Sequence, residues 1–257
     1  MTLALLCAFA LLAGFVDSIG GGGGLIQLPP LLILRDDLPH ATLLGTNKVA
    51  AVTGTGAAAA TYLRRVRLDW SLIGPAALAA ALYSAIGARI ASVISSQVFR
   101  PIVLALLIAV GLYTYFKPAF GSEVRQRPVD RLLRVRAALI GGYVGFYDGF
   151  FGPGTGSFLM FLFVGVLGLD FLHASASAKL VNTATNLAAI AAFASQGYVL
   201  YGVALPMAAC NVVGGLIGAR LALRIGSRFV RIVFLVVVTA FVLRLAYEIV
   251  APLLAGG

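Results

Sequence analysis

Two glycine-rich interruptions of apolar segments decide how this chain folds. The first, at residues 14–24, reads GFVDSIGGGGG, and the second, at residues 145–156, reads GFYDGFFGPGTG. Within a helix each glycine costs about 1 kcal/mol and each proline about 3 kcal/mol relative to alanine, so both stretches are predicted to break a helix. Irregular backbone at membrane depth is tolerated only where protein or a water-filled cavity covers it. We therefore predict two broken helices whose interrupted ends are buried.

The composition is that of a polytopic membrane protein. Of the 257 residues 61% are hydrophobic and 11% are charged, whereas charged residues make up about 25% of soluble domains. The net charge of +10 lies in short basic clusters between apolar runs, which is the pattern of loop charges that set membrane orientation. We therefore expect a multi-pass, all-α protein in a lipid bilayer and no nucleic-acid partner.

The two halves of the chain repeat one another at an offset of 131 residues, without a gap. The offset superposes loops as well as apolar segments, which is the mark of an internal duplication. The coinciding pairs include Gly14 with Gly145, Asp17 with Asp148, Gly21 with Gly152, Gly23 with Gly154, Lys48 with Lys179, Pro75 with Pro206 and Arg89 with Arg220.

The repeat predicts a domain organisation. Residues 1–116 form the first transmembrane repeat, 117–131 a basic cytoplasmic linker, and 132–257 the second repeat. The apolar runs at 25–34 and 157–169 are shorter than the ~20 residues of a membrane-spanning helix. Each repeat is thus expected to contain a broken, re-entrant helical hairpin and three transmembrane helices.

Loop charge predicts that the two repeats are inverted. In the first half, the loop after the first transmembrane helix that follows the broken hairpin is basic, with Arg64, Arg65 and Arg67. The equivalent loop of the second half, near Gly197, has no basic residue. If basic loops face the cytoplasm, the halves must have opposite orientations. Arg89 would then lie on the outer side, at a helix end from which a long side chain can reach the interface.

A helix that starts at a glycine break presents unpaired backbone N–H groups and a positive dipole end, which together bind anions. We therefore predict a site for a small anion between the two breaks. Alternatively, the glycines serve only to let the helices pack closely, as small residues do between membrane helices. The predicted substrate-binding residues from the breaks and the helix starts after them are Gly21, Gly23, Gln27, Gly152, Gly154, Thr155, Gly156 and Ser157.

Two lysines lie inside apolar segments, at Lys48 and Lys179, where insertion of a lysine costs about 2.5–3.5 kcal/mol. Each needs a negative partner, which is either a substrate anion or one of the repeat-matched carboxylates Asp17 and Asp148. Those carboxylates could instead carry a coupling proton or cap the following half-helix. The neutral donors Asn47, Asn182 and Asn186 complete the predicted substrate site.

The sequence contains no pattern of a catalytic or metal centre. It lacks a Ser/His/Asp or Cys/His set, a nucleotide-binding GxxxxGK[ST] loop and an HExxH motif. Cys7 and Cys210 do not have the spacing of metal ligands or of a disulfide framework. We therefore expect neither an enzyme nor a bound cofactor or metal.

The order of motifs resembles the sulfite exporter TauE/SafE family of bacterial membrane transporters over nearly the whole chain. The resemblance rests on FVDSIGGGGGLI, LGTNK, the basic linker, GFYDGFFGPGTGSF and ASAKLVNTATN. It implies an inner-membrane (plasma-membrane) exporter of small sulfur-containing anions such as sulfite or organosulfonates. The residues alone also allow a transporter or channel for another solute or ion, or a membrane subunit without a transport role. They leave open whether the chain forms a homo-oligomer.

Overall fold

The computed structural model describes residues 2–35, 37–94, 129–226, 228–230, 232–233 and 236. All regular structure in these ranges is helical, which confirms the predicted all-α class. The helices are α1 (Thr2–Gly20), α2 (Gly23–Leu34), α3 (His40–Leu63), α4 (Trp70–Val93), α5 (Arg131–Phe150), α6 (Thr155–Gly165), α7 (Phe171–Ala194) and α8 (Tyr201–Ile225).

Three of the helices in the described part of the chain have the length and apolar composition of membrane spans, namely α1, α4 and α8. Their outward surfaces carry exposed apolar side chains such as Leu78, Leu82 and Ile217. The helices α2 and α6 are apolar but only 12 and 11 residues long, as predicted for the second arms of the broken hairpins. The third transmembrane helix predicted for each repeat lies mostly outside the described residues.

Both breaks occur where predicted, but they are shorter than the glycine-rich stretches. Helix α1 continues through Asp17 and ends at Gly20, and α5 continues through Asp148 and ends at Phe150. The backbone then turns through left-handed conformations, at Gly21 and Gly22 in the first break and at Gly152 and Gly154 in the second. Glycine enters this region readily because it has no Cβ. Each aspartate therefore lies on the last turns of a helix.

The helix boundaries repeat at the offset found in the sequence. Helix α3 begins at His40 and α7 at Phe171, 131 residues later, and both have 24 residues. The remaining boundaries agree within two residues at the same offset. The three-part division of the chain stays a prediction, because most of the linker lies outside the described residues.

The two halves pack across each other. Helix α1 packs against α8, and α5 packs against α4. A Cβ on Gly14 would overlap the backbone of Asn211, and one on the equivalent Gly145 would overlap the backbone of Ala80. Small residues thus let the helix backbones approach closely, as is common between membrane helices.

Helices α3 and α7 pack together in the centre and run antiparallel. The start of α3 at Gly45 lies against Tyr198, after the end of α7. The end of α3 at Tyr62 lies against the start of α7, where Ser175 Oγ is 3.4 Å from Tyr62 Oη. An inverted repeat requires this antiparallel course, and the inversion of the halves across a membrane stays a prediction.

Candidate functional site

The two glycine breaks contact each other directly in the middle of the helical bundle. A Cβ on Gly21 would overlap the backbone nitrogen of Ser157, and one on Gly24 would lie 3.1 Å from Pro153 Cα. The Ser157 hydroxyl donates a hydrogen bond to the carbonyl of Gly20 over 3.2 Å. The first turns of α2 and α6 are thereby brought to one place.

A small cavity lies between the breaks and the central helices. Its volume of about 30 Å³ is enough for about two water molecules. Backbone of the two helix starts and polar side chains from both halves form most of its wall. It is lined by Ala13, Asp17, Gly22, Gly23, Gly24, Gln27, Asn47, Lys48, Ala51, Thr55, Asp148, Gly152, Gly154, Thr155, Gly156, Asn182, Asn186 and Asn211.

Two buried ion pairs join the halves beside this cavity. Lys48 Nζ lies 2.7 Å from Asp148 Oδ2, and Lys179 Nζ lies 3.0 Å from Asp17 Oδ2. The lysine side chains are only 3% and 1% exposed. Each lysine therefore pairs with the aspartate of the opposite half rather than with the broken hairpin of its own half.

The two aspartates also hold the helix starts that follow the breaks. Asp17 Oδ1 accepts from the backbone N–H of Gly23 at 3.3 Å, and its Oδ2 accepts from the Thr55 hydroxyl at 3.2 Å. Asp148 Oδ1 accepts from the Thr155 hydroxyl at 2.6 Å. Asp17 thus caps α2 through the backbone, whereas Asp148 is tied to α6 through a side chain.

Three buried amide side chains, those of Asn211, Gln27 and Asn47, form a hydrogen-bonded chain in the cavity wall. Asn211 Nδ2 donates to Gln27 Oε1 at 2.7 Å, and Gln27 Nε2 donates to Asn47 Oδ1 at 2.9 Å and to the Asn47 carbonyl at 3.3 Å. Both amide hydrogens of Gln27 are therefore used within the protein. Because its oxygen accepts from Gln27, Asn47 is left with its amide N–H groups as donors for a ligand.

Asn182 and Asn186 form the corresponding wall on α7. Asn186 Nδ2 donates to Asn182 Oδ1 at 3.0 Å and to its carbonyl at 2.8 Å, and the Thr185 hydroxyl lies 3.3 Å from the same Oδ1. These bonds occupy the oxygen of Asn182. Its amide N–H groups are the part of this side chain left for a ligand.

Most of the residues predicted for the site line the cavity, but three do not. Gly21 and Ser157 lie in the contact between the two breaks. Lys179 pairs with Asp17 and does not line the cavity itself. Two polar side chains of the wall, Thr55 and Asn211, were not in the predicted set. Helical spacing offers a signal for Thr55, since 48, 51 and 55 repeat the spacing of 179, 182 and 186 on one helix face.

The helix ends around the cavity differ in their partners. Three hydroxyls cap the last carbonyls of α1: Tyr62 donates to Ser18 at 2.9 Å, Ser175 to Ile19 at 2.9 Å and Ser157 to Gly20 at 3.2 Å. The N-terminal turns of α2 and α6, by contrast, line the cavity. The cavity therefore faces the positive ends of two helix dipoles, each equivalent to about half an elementary charge.

Among the described residues no group of three or more His, Cys, Asp or Glu side chains is arranged to hold a metal ion. The polar groups of the cavity are amides, hydroxyls, backbone of the helix starts, the Lys48–Asp148 pair and Asp17. The amides, hydroxyls, backbone N–H groups and Lys48 are hydrogen-bond donors of the kind that bind a small oxyanion.

Comparison with known proteins gives the same family that the motifs resemble. The profile of the family described as "Sulfite exporter TauE/SafE" matches residues 6–245. "Probable membrane transporter protein ORF9" of Sinorhizobium sp. is 37% identical over 251 residues, which cover 98% of this chain and 95% of that protein. "Probable membrane transporter protein" of Haemophilus influenzae is 35% identical, covering 96% of this chain and 95% of the relative.

A third relative, "Probable membrane transporter protein YfcA" of Escherichia coli K12, is 35% identical over 249 residues, covering 96% of this chain and 91% of that protein. The profile match spans the positions of both glycine breaks, both buried lysines and the segment between the halves. The chain therefore belongs to the sulfite exporter TauE/SafE family.

Proposed function

We propose that this protein is a secondary transporter that exports a small sulfur-containing anion, such as sulfite or an organosulfonate, across the inner (plasma) membrane. The substrate class is drawn from the family description, and the membrane transporters among its relatives support the transport role. The observation that carries the assignment of the site is the cavity lined by two helix N-termini, beside which lie two buried lysine–aspartate pairs.

The charge balance of the cavity favours one anion. The two lysines and two aspartates compensate each other, and the helix starts that line the cavity direct backbone N–H groups and the positive ends of their dipoles towards it. Hydrogen-bond donors at helix N-termini favour an anion as the ligand.

The proposed binding mode places the anion beside Lys48, which is the one lysine in the described part of the chain that lines the cavity. The N–H groups of Asn47 and Asn182 and the backbone of Gly24 and Gly156 supply further donors. Asp17, Gly21, Gln27, Ser157 and Lys179 then act as positioning residues, since their partners lie within the protein.

Transport requires the halves to move, because a cavity of about 30 Å³ accommodates only water-sized occupants and must widen to admit a polyatomic anion. Each ion pair joins one half to the other, so an anion that competes with Asp148 for Lys48 also loosens a contact between the halves. Export of an anion is favoured by an inside-negative potential, by about 2.3 kcal/mol per charge per 100 mV. Alternating access of the two halves is the mechanism we propose.

Flux measurements in proteoliposomes test this function. The flux of sulfite, sulfate and a short alkyl sulfonate is measured for the native protein, for Lys48→Met and for the double variant Lys48→Met/Asp148→Asn. The double variant removes both charges of the pair, so neither is left buried without its partner. We expect saturable sulfite or sulfonate flux in the native protein and its loss in both variants. Arg67→Gln, an exposed change outside the cavity, serves as the control and retains flux.

Three results would count against the proposal. Absence of flux for every sulfur oxyanion contradicts the substrate class, and flux that rises linearly with concentration indicates a channel. Normal flux in a stable double variant contradicts the contact between Lys48 and the anion.

A further inference from the structure

A second, larger cavity lies at the end of the bundle where α3 and α8 finish and α7 begins. Its volume is about 540 Å³. Four arginines contribute to its wall together with apolar side chains and one threonine. The lining residues are Thr61, Arg64, Arg65, Val66, Leu172, Arg220, Leu223 and Arg224.

The arginines of this cavity have no acidic partner among the residues that the structure describes. Each described carboxylate is engaged elsewhere: Asp17 with Lys179, Asp37 with Arg35, Asp69 with Ser71, Asp130 with the backbone of Leu133, Asp148 with Lys48, and Asp170 with His173. Four cations therefore line one cavity without a described carboxylate to pair with them.

Helix capping explains only part of this cluster. Arg64 is the C-cap residue of α3, and Arg224 lies in the last turn of α8, where a cation is stabilised by the helix dipole. Arg220 lies more than one turn before the end of α8, beyond the range of that effect. Loop charges that set membrane orientation explain basic residues at this end of the bundle, but neither that nor capping requires four of them to line one cavity.

The position and lining of the cavity match a lipid headgroup. Val66, Leu172 and Leu223 add apolar side chains to the wall that holds the arginines. Trp70, 58% exposed at the start of α4, lies six residues after Arg64, and exposed tryptophans mark the level of the membrane interface. Basic pockets between transmembrane helices at this level bind phosphate-bearing headgroups.

We propose that this arginine-lined cavity binds a phosphate-type oxyanion, supplied by the headgroup of an anionic phospholipid. Guanidinium groups suit this ligand because their planar N–H forks bind phosphate oxygens in pairs. The site is separate from the cavity at the glycine breaks and does not depend on the transported substrate. A free oxyanion in solution presents the same chemistry, so the experiment distinguishes the two sources.

Native mass spectrometry of the detergent-purified protein measures the binding. Phosphatidylglycerol and phosphatidylcholine are titrated in parallel, and inorganic phosphate is tested in a third arm by thermal shift. The proteins compared are the native sequence, Arg65→Gln/Arg224→Gln, the charge-retaining Arg65→Lys/Arg224→Lys, and Arg67→Gln. The last removes an exposed arginine of the same loop that does not line the cavity.

We expect phosphatidylglycerol to bind the native protein and Arg67→Gln, and to bind the double glutamine variant roughly thirtyfold more weakly, as expected for two cations near a charged lipid surface. The lysine variant should keep most of the affinity. Stabilisation by inorganic phosphate with no preference for phosphatidylglycerol assigns the site to a free oxyanion.

The proposal is overturned if the native protein binds phosphatidylglycerol and phosphatidylcholine equally. It is also overturned if phosphatidylglycerol binds the native and double glutamine proteins equally and inorganic phosphate has no effect. If the glutamine variant does not fold, the single changes Arg65→Gln and Arg224→Gln, each expected to weaken binding about fivefold, carry the same test.

Discussion

The two buried ion pairs occupy equivalent positions in the repeat but are built differently. Lys48 and Asp148 both line the central cavity, and their side chains are 3% and 2% exposed. In the other pair Asp17 also lines the cavity, is 13% exposed and accepts two further hydrogen bonds, whereas Lys179 does not line the cavity. Only the lysine of the first pair therefore borders the cavity among these two, while Lys179 fastens the first break to α7.

Changes at a few repeat positions account for this difference. Thr155 in the second half replaces Gly24 of the first, so only Asp148 receives a hydroxyl from the helix start beside it. Asn186 replaces Thr55, and it bonds to Asn182 instead of to an aspartate. A duplicated backbone has thus kept both ion pairs while its cavity has become asymmetric.

The largest difference between the halves is expected at the glycines of the breaks. In Gly21→Ala the new Cβ overlaps the backbone of Ser157 and Gly156, whereas in the equivalent Gly152→Ala it meets the Lys48 ammonium at 2.8 Å. Backbone cannot move aside as a side-chain end can, so Gly21→Ala should yield little folded protein. The yield and melting temperature of purified protein in detergent measure this.

Gly197→Ala is the matched control, because Gly197 also has a positive φ but has no atom within 4 Å of the added Cβ. It should show only the cost of the left-handed conformation, about 1–2 kcal/mol. Equal melting temperatures for Gly21→Ala and Gly197→Ala would show that the two breaks do not pack as described.

The next largest effect is expected from the lysines. Lys48→Met leaves Asp148 buried without a counter-charge, which costs about 3–5 kcal/mol. Lys179→Met should cost less, because Asp17 keeps the Gly23 N–H and the Thr55 hydroxyl. Unfolding of both variants in detergent–denaturant mixtures gives the free energies.

The neutral double variants Lys48→Met/Asp148→Asn and Lys179→Met/Asp17→Asn separate pairing from other roles of the lysines. Each should regain most of the stability lost by the lysine change alone. A loss of stability as large for Lys179→Met as for Lys48→Met would mean that the two pairs are energetically alike, against the structure.

The smallest effect is expected from the threonines that bind the aspartates. Hydrogen bonds to charged groups contribute about 1.5–3 kcal/mol, and the Thr155 bond to Asp148 is 2.6 Å long, against 3.2 Å for Thr55 and Asp17. Thr155→Val should therefore lower the melting temperature more than Thr55→Val. Thr155→Ser and Thr55→Ser keep the hydroxyl and are the controls; the reverse order of the valine variants would refute the asymmetry.

The sequence by itself determined the class of protein, the positions of the breaks and the repeat. Apolar composition, helix-breaking glycines and a constant offset are local or periodic properties, and each has a large energetic consequence inside a membrane. The polar residues of the site could be recognised for the same reason, since Lys48, Lys179 and the buried amides are costly in an apolar segment unless they have a partner.

Only the tertiary structure decided which partners these residues have. The crossed pairing of Lys48 with Asp148 and of Lys179 with Asp17 depends on how the halves pack, and so does the placing of Ser157 between the breaks instead of in the cavity. The arginine-lined cavity joins Arg64 to Arg220 through the parallel packing of α3 and α8. Contacts between residues more than a hundred positions apart follow from the packing of whole helices, which no local pattern in the sequence encodes.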